Sequence, residues 1–299
     1  MSTPEPFGVK ADGPTARILF QGLFDDAAVF PPGLAPLPRA VRDHVARQSG
    51  SYADLVGPLL LPVSAIADLL DLEHPPLEVG LIGRPGTSPA LVGEALLRLS
   101  LRPSVTVTAV EIGWSPDWLD ADGWGPDSWP AESTGTRHSI EVPRGAELDR
   151  ALSDLQAHAG GTHPVQAKFR TGSIPGQPAP TATELATFIR ASIDHDLSFK
   201  LTGGLHHAFS RTSSAGEHQI GFLNVIAATR WALAHGGEVP EMETLLAVRD
   251  QVQILDMITR MSEADSSVLR AFFTSYGCCG VMDPVGDLAA LGLIREKTV

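Results

Sequence analysis

The chain has 299 residues, 43% of them hydrophobic and 19% charged, and a formal net charge of −13. That length suits one large α/β domain or two smaller ones, and the composition is that of an ordinary soluble globular protein. The acidic balance disfavours nucleic acid as a partner, since phosphate binding needs a basic surface, and no run approaches the roughly eighteen apolar residues of a membrane span.

Residues 1–16 read as a polar, flexible lead-in without the apolar core of a signal peptide. The only cysteines are the adjacent pair Cys278-Cys279. A disulfide scaffold is therefore not expected, and a cytoplasmic setting is. Ile18–Phe20 and Leu23–Phe30 give a first apolar stretch, stopped by Pro31-Pro32-Gly33. Within it, Asp25-Asp26 read as a solvated turn rather than as strand-end ligands. Ala40, Val41, His44 and Val45 mark a short helical face.

Leu55–Pro62 is a continuous apolar run of strand length, suited to a sheet buried on both sides. Ser64 is placed to cap a helix carrying Ile66, Leu69 and Leu70. Leu77–Gly83 reads as another strand, followed by a helix with Leu91, Ala95, Leu96 and Leu99. Ser104–Val110 alternates cleanly and ends at Glu111. Residues 113–136 break the pattern with an irregular insertion that holds Trp114, Trp118, Trp124 and Trp129. A stretch of that length without an element usually forms a lid, a binding loop or a partner contact.

His138–Pro143 resumes the strand pattern, with Ser139 and Glu141 on one side and Ile140 and Val142 on the other. A helix with Leu148, Ala151, Leu152 and Leu155 follows. Two strand-like stretches come next, each with a lysine. In the first, Val165, Ala167 and Phe169 share one face and Gln166, Lys168 and Arg170 the other. A Thr181-x-x-Glu184 capping box then opens a helix burying Leu185, Phe188, Ile189 and Ile193. In the second, Leu197, Phe199 and Leu201 oppose Ser198, Lys200 and Thr202.

Beyond the polar loop Arg211–Gln219 a helix carries Phe222, Val225, Ile226 and Leu233. Residues 240–299 read as mainly helical, with Gln251–Leu255 as a candidate eighth strand. Seven strands precede residue 205, alternating with helices, which signals a mostly parallel sheet. No Gly-x-Gly-x-x-Gly follows the first strand and no phosphate loop is present, which lowers a doubly wound nucleotide-binding fold. Polar faces on three successive strands fit a (β/α)8 TIM-barrel-like fold spanning 17–299 as a single domain.

Of the 22 basic residues only four are lysines: Lys10, Lys168, Lys200 and Lys297. Two of them sit at matching places in successive strands and face an interior, which is costly unless it is functional. A lysine, unlike an arginine, can become a neutral amine when desolvated or set beside another cation. Lys168 is thus a candidate nucleophile or base and Lys200 its electrostatic partner, with Glu141 or His206 as proton carrier. Arg170, Thr171 and Gly172 on one strand, and Thr202, Gly203, Gly204, His207 and Arg211 on and after the next, are candidate substrate-binding groups. The glycine turns offer N–H groups to an anion. The bland alternative is a pair of structural ion pairs.

The two lysine strands resemble those of class I aldolases of the deoxyribose-phosphate type. There a Schiff-base lysine on the sixth strand precedes Thr/Gly residues and a second lysine on the seventh precedes Gly-Gly. The matching residues are Lys168 with Thr171-Gly172 and Lys200 with Gly203-Gly204. The resemblance implies that Lys168 is the nucleophile and that Lys200 lowers its pKa. It covers about 40 residues. Arg170 departs from that pattern, and the family's acidic residue on the fourth strand has no evident counterpart, with Glu141 as a substitute. Leu23–Leu61, Gly204-Leu-His-His207 and Asp283-Pro-Val-x-Asp-Leu288 also resemble an uncharacterised bacterial protein family.

The expected function is therefore an aldolase-, lyase- or isomerase-like enzyme acting on a small anionic carbonyl compound. No cofactor is predicted, and a homo-oligomer is allowed. One alternative is a divalent-metal hydrolase or lyase using His206, His207 and a carboxylate from Glu111, Glu141 or Asp25. The other is a non-catalytic binding or assembly barrel with the tryptophan insertion as its contact surface. Cys278 and Cys279 read as buried small hydrophobes without a partner histidine.

Overall fold

Eight parallel strands close into one barrel in the computed structural model, which describes residues 14–84, 86–116, 136–160, 163–213 and 216–297. Seven strands come in chain order: β1 (Phe24–Asp26), β2 (Val56–Pro62), β3 (Leu77–Ile82), β4 (Val105–Gly113), β5 (Arg137–Glu141), β6 (Val165–Arg170) and β7 (Phe199–Thr202). A two-residue antiparallel pair, β8 (Arg211–Thr212) and β9 (His218–Gln219), stands outside the barrel. The eighth barrel strand is β10 (Phe273–Cys278), which pairs with β7 on one side and β1 on the other.

Helix α1 (Pro14–Phe20) precedes β1. Helices α2 (Leu37–Gln48), α3 (Ile66–Leu70), α4 (Pro89–Ser100), α5 (Leu148–Gln156) and α6 (Ala182–Asp194) each cross between successive strands. Four helices, α7 (Phe222–His235), α8 (Val239–Ala247), α9 (Gln251–Thr259) and α10 (Glu263–Phe272), lie between β9 and β10, and α11 (Met282–Ala290) follows β10. The expected (β/α)8 fold is the one observed.

The eighth strand is not Gln251–Leu255. That segment is the start of α9, because the Asp250 carboxylate accepts from the N–H groups of Val252 and Gln253 at 3.0 and 3.3 Å. Ile254 and Ile258, four residues apart, supply the buried side. The strand comes instead from Phe273-Thr-Ser-Tyr-Gly-Cys278, every residue of which is buried. Residues 240–299, expected to be mainly helical, hold most of α8 and all of α9, α10 and α11 but also this strand.

The outer faces of the strands bind the helices. Phe169 of β6 stacks on Phe188 of α6 at 4.5 Å, Phe199 of β7 meets the same ring edge-on at 5.5 Å, and Phe273 of β10 stacks on Phe199 at 5.4 Å. Tyr276 and Phe24 continue this aromatic belt to Phe222 of α7. The apolar phases expected for the two lysine strands are thus the helix-facing ones. The Thr181–Glu184 capping box also forms, with the Thr181 hydroxyl accepting from the Glu184 N–H at 3.1 Å.

Asp25 and Asp26 form no turn. Both are buried in β1, and strand alternation sends them to opposite sides. Asp26 faces α2, where His44 Nδ1 lies 2.9 Å from its carboxylate, Arg47 donates at 2.6 Å and the Ala28 N–H donates at 3.2 Å. Asp25 faces the interior. Most of the tryptophan-rich insertion, 117–135, lies outside the described residues. Trp114 is described, and its Nε1–H donates to Asp154 of α5 at 2.9 Å.

Candidate active site

Both apolar and polar side chains line the barrel interior. On the β2–β3 side Leu60 fills the space left by two glycines: a Cβ on Gly80 or Gly277 would stand 2.5 or 3.3 Å from its methyl groups. Side chains of β5, β6 and β10 build a polar floor. The Gln166 side-chain amide donates to the Ser139 hydroxyl at 2.7 Å, and the Thr274 hydroxyl donates to Gln166 Oε1 at 2.7 Å. All three side chains are buried, and this short chain of bonds answers their polar groups.

Above this floor lies an unbroken row of alternating charges. Lys168 and Lys200 are direct neighbours in the β6–β7 register. Lys200 Nζ is 2.6 Å from Asp25 Oδ2 and also pairs with Glu111 Oε1. The other oxygen of Glu111 lies 2.8 Å from Lys168 Nζ, which is in turn 2.9 Å from Glu141 Oε2. Arg170 completes the row with a two-pronged contact to Glu141, at 2.9 Å from Nε and 3.2 Å from Nη2. Ser275 donates to Asp25 at 2.8 Å at the far end. A Cβ on Gly57 would overlap Asp25 Oδ1, so β2 needs a glycine there for the carboxylate to fit.

Three acids face three bases, and burial deepens along the row. Asp25, Glu111, Lys168 and Lys200 are buried, whereas Glu141 and Arg170 end their strands and remain partly open. Arg170 and Glu141 therefore stand between the inner four charges and the rim.

The resting lysines are ammonium ions. Burial would push Lys168 down, but Glu111 and Glu141 outweigh it and hold the group above the ordinary lysine value. Lys200 is raised in the same way, with burial opposed by Asp25 and Glu111. The expected lowering of one lysine by the other does not occur in the resting protein, because Glu111 sits between them and neutralises both. Burial works against the charge of Glu111 as well, yet its two lysines hold it at about 2. Glu141 also lies below its ordinary value, burial being outweighed by Lys168 and Arg170. For Asp25 burial wins over Lys200, and it lies above the usual carboxylate value.

The remaining predicted residues separate into two groups. Thr171, Gly172, Thr202, Gly203 and Gly204 join the lysine strands at their ends. The Thr171 N–H donates to the Thr202 carbonyl at 2.8 Å, and its hydroxyl donates to the Gly203 carbonyl. Gly203 and Gly204 have φ of +73° and +81°, and Gly172 lies against their backbone, so both turns depend on the missing side chains.

His206, His207 and Arg211 make contacts elsewhere. Arg211 donates to Gln219 at 3.0 Å within the β8–β9 pair, and His207 Nδ1 is 3.6 Å from Asp287 of α11. His206 lies between the two thiols, 3.6 Å from Cys278 Sγ and 3.7 Å from Cys279 Sγ, with Asp283 also at 3.7 Å. The cysteines do therefore have a partner histidine. Burial pushes the Cys278 thiol up to about 12, raises Cys279 too and lowers His206, so these groups meet as neutral species rather than as a thiolate–imidazolium pair.

The metal-ligand grouping expected in the alternative reading does not assemble. Glu111, Asp25 and Glu141 are taken up by the lysines and Arg170, away from the contacts of His206 and His207. Among the described residues no group of three or more His, Cys, Asp or Glu side chains is set to hold a metal.

Asp25 and Glu111 are the two site residues whose central role the sequence hides. Glu111 occupies the fourth strand, where the resemblance to aldolases calls for an acid. A bulge in β4 conceals it: the register against β3 slips between Val107 and Ala109, turning Ala109 and Glu111 to the interior. Comparison with protein-family models finds no match, and no curated protein matches the chain in sequence.

Proposed function

We propose that this barrel is an enzyme acting on a small carbonyl compound that carries an anionic group, in a lyase- or isomerase-type reaction. The observation that carries the reading is the pair of adjacent lysines sharing Glu111 inside the barrel, each two residues short of the C-terminal strand ends at which barrel active sites are built. Lys168 is the group nearer the rim and the nucleophile of the reading. Lys200 is its deeper electrostatic partner.

Each ammonium touches two carboxylates, so a proton leaving Lys168 has an acceptor within 2.9 Å. The amine then attacks the carbonyl carbon. Once an iminium forms, its positive charge sits where the ammonium charge sat, between Glu111 and Glu141, and the row keeps its balance. A carbanion next to the iminium is stabilised by that charge, which is what aldol cleavage and related isomerisations require.

Incubation with a panel of aldehydes and ketones under cyanoborohydride, read by intact mass and peptide mapping, tests the reading. The expected result is a reduced adduct on Lys168 that Lys168→Ala abolishes and Lys200→Met slows by about two orders of magnitude. A panel that leaves Lys168 unlabelled from neutral to alkaline pH overturns it.

A further inference from the structure

Arg170 and Glu141 sit at the partly open end of the charge row, and any molecule approaching Lys168 from the rim meets them first. Lys168 Nζ and Arg170 Nη2 both contact the same oxygen, Glu141 Oε2, at 2.9 and 3.2 Å. The two nitrogens therefore cannot be more than roughly 6 Å apart. A ligand bonded to Nζ through its carbonyl carbon and paired with Arg170 through its anion must span that short gap. With a C–N bond of about 1.5 Å and a charge-assisted hydrogen bond of about 2.8 Å at the ends, little is left for the ligand itself. A carboxylate on the carbon next to the carbonyl fits. An anion two or more carbons further along overshoots.

Resting on the reading of Lys168 as an imine-forming amine, we infer that the substrate is a 2-oxo acid whose carboxylate takes Arg170 from Glu141, and that this exchange frees Glu141 to deprotonate Lys168. Glu141 faces two cations, Lys168 and Arg170. Lys168 faces Glu111 and Glu141, and Lys200 with Asp25 lies beyond Glu111. Arg144 meets this set at the Arg170 backbone carbonyl, at 3.4 Å, and also donates to the Pro178 carbonyl at 2.8 Å. Removing Arg170 from this set leaves the carboxylate with one cation, the ammonium whose proton it takes.

The step balances. Glu141 accepts a proton from the Lys168 ammonium, and the Nζ–C bond forms as the carbonyl oxygen takes a proton from nitrogen. The C–O bond then breaks, with Glu141 returning its proton so that water leaves. The products are iminium, water and the original carboxylate. A neutral carbonyl compound cannot draw Arg170 away and meets an amine that is still protonated.

Cyanoborohydride trapping at pH 7 with pyruvate, methyl pyruvate and 4-oxopentanoate tests the inference. Methyl pyruvate keeps the activated ketone without the charge, and 4-oxopentanoate keeps the charge at a longer spacing. In the unaltered protein pyruvate should label Lys168 about thirtyfold faster than methyl pyruvate and about tenfold faster than 4-oxopentanoate. In Arg170→Gln the preference for pyruvate over methyl pyruvate should shrink to about threefold or less, with methyl pyruvate labelling faster than it labels the parent. Arg170→Lys, which keeps a cation, should recover part of the preference, and melting curves check that both variants fold.

Lys168 labelling with an unchanged preference in Arg170→Gln, or with 4-oxopentanoate as fast as pyruvate, overturns the 2-oxo acid inference and leaves the imine reading standing. No labelling by any probe in any variant overturns both.

Discussion

Glu111 is the residue on which most of the site depends, because each of its oxygens serves a different lysine. Replacing it with glutamine keeps the shape and removes the charge, leaving two buried ammonium groups with one full partner each. Glu111→Gln should lower stability by about 3–5 kcal/mol in urea unfolding, the usual cost of breaking a buried ion pair from one side. Gly57→Ala attacks the same row sterically, since the new methyl group overlaps Asp25. It should cost about 1–3 kcal/mol.

A third residue governs the acid side. His138 is buried on β5, stacked on His163 at 4.9 Å, and burial, with His163 adding to it, lowers its pKa to about 2. The unfolded chain takes up a proton there near pH 6.5, while the folded chain does not until near pH 2. Between those values the unfolded state binds more protons, so stability falls as pH falls, by up to about 1.4 kcal/mol per unit. Urea titrations from pH 7 to 5 should be steeper for the parent than for His138→Gln.

At the scale of elements, two adjacent aspartates in β1 divide the labour between the site and the shell. Asp26 fastens α2 through His44 and Arg47, and Asp25 anchors the charge row. Arg47→Gln should therefore reduce stability by about 1–3 kcal/mol while leaving the trapping rate of the folded protein unchanged. Asp25→Asn should alter trapping. The sequence displayed most elements well, because strand alternation, the Thr181–Glu184 capping box and the Phe169–Phe199 faces are all local signals.

Two kinds of information were not local. A one-residue bulge turned Glu111 inward, and another between Phe273 and Ser275 re-registers β10, which places Thr274 and Ser275 in the interior network. Asp25 was hidden for a different reason. Two aspartates in a three-residue strand look like a turn until a lysine 175 positions away is known to face one of them.

At the scale of the molecule, closure depends on β10, which arrives after four consecutive helices and pairs with both β7 and β1. A chain ended at residue 260 keeps seven strands but leaves two unpaired edges and an open aromatic belt. Such a chain should lose its cooperative melt and bind a hydrophobic dye, whereas the full chain should melt in one transition. The barrel itself was legible from the rhythm of strands and helices. The position of its last strand was not, since Phe273–Cys278 carries no turn signal before it and follows directly on α10.

The alternating row also has a historical consequence. Asp25, Glu111 and Glu141 balance Lys168, Lys200 and Arg170 one for one, and each of the four between the end residues Asp25 and Arg170 is held by two of the others. A single charge cannot drift away without stranding its neighbours in a dry interior. Lineages descended from this barrel should therefore lose these residues in compensating pairs of opposite sign, or keep all six. A relative that has lost Glu111 alone would have needed a replacement carboxylate from another strand first.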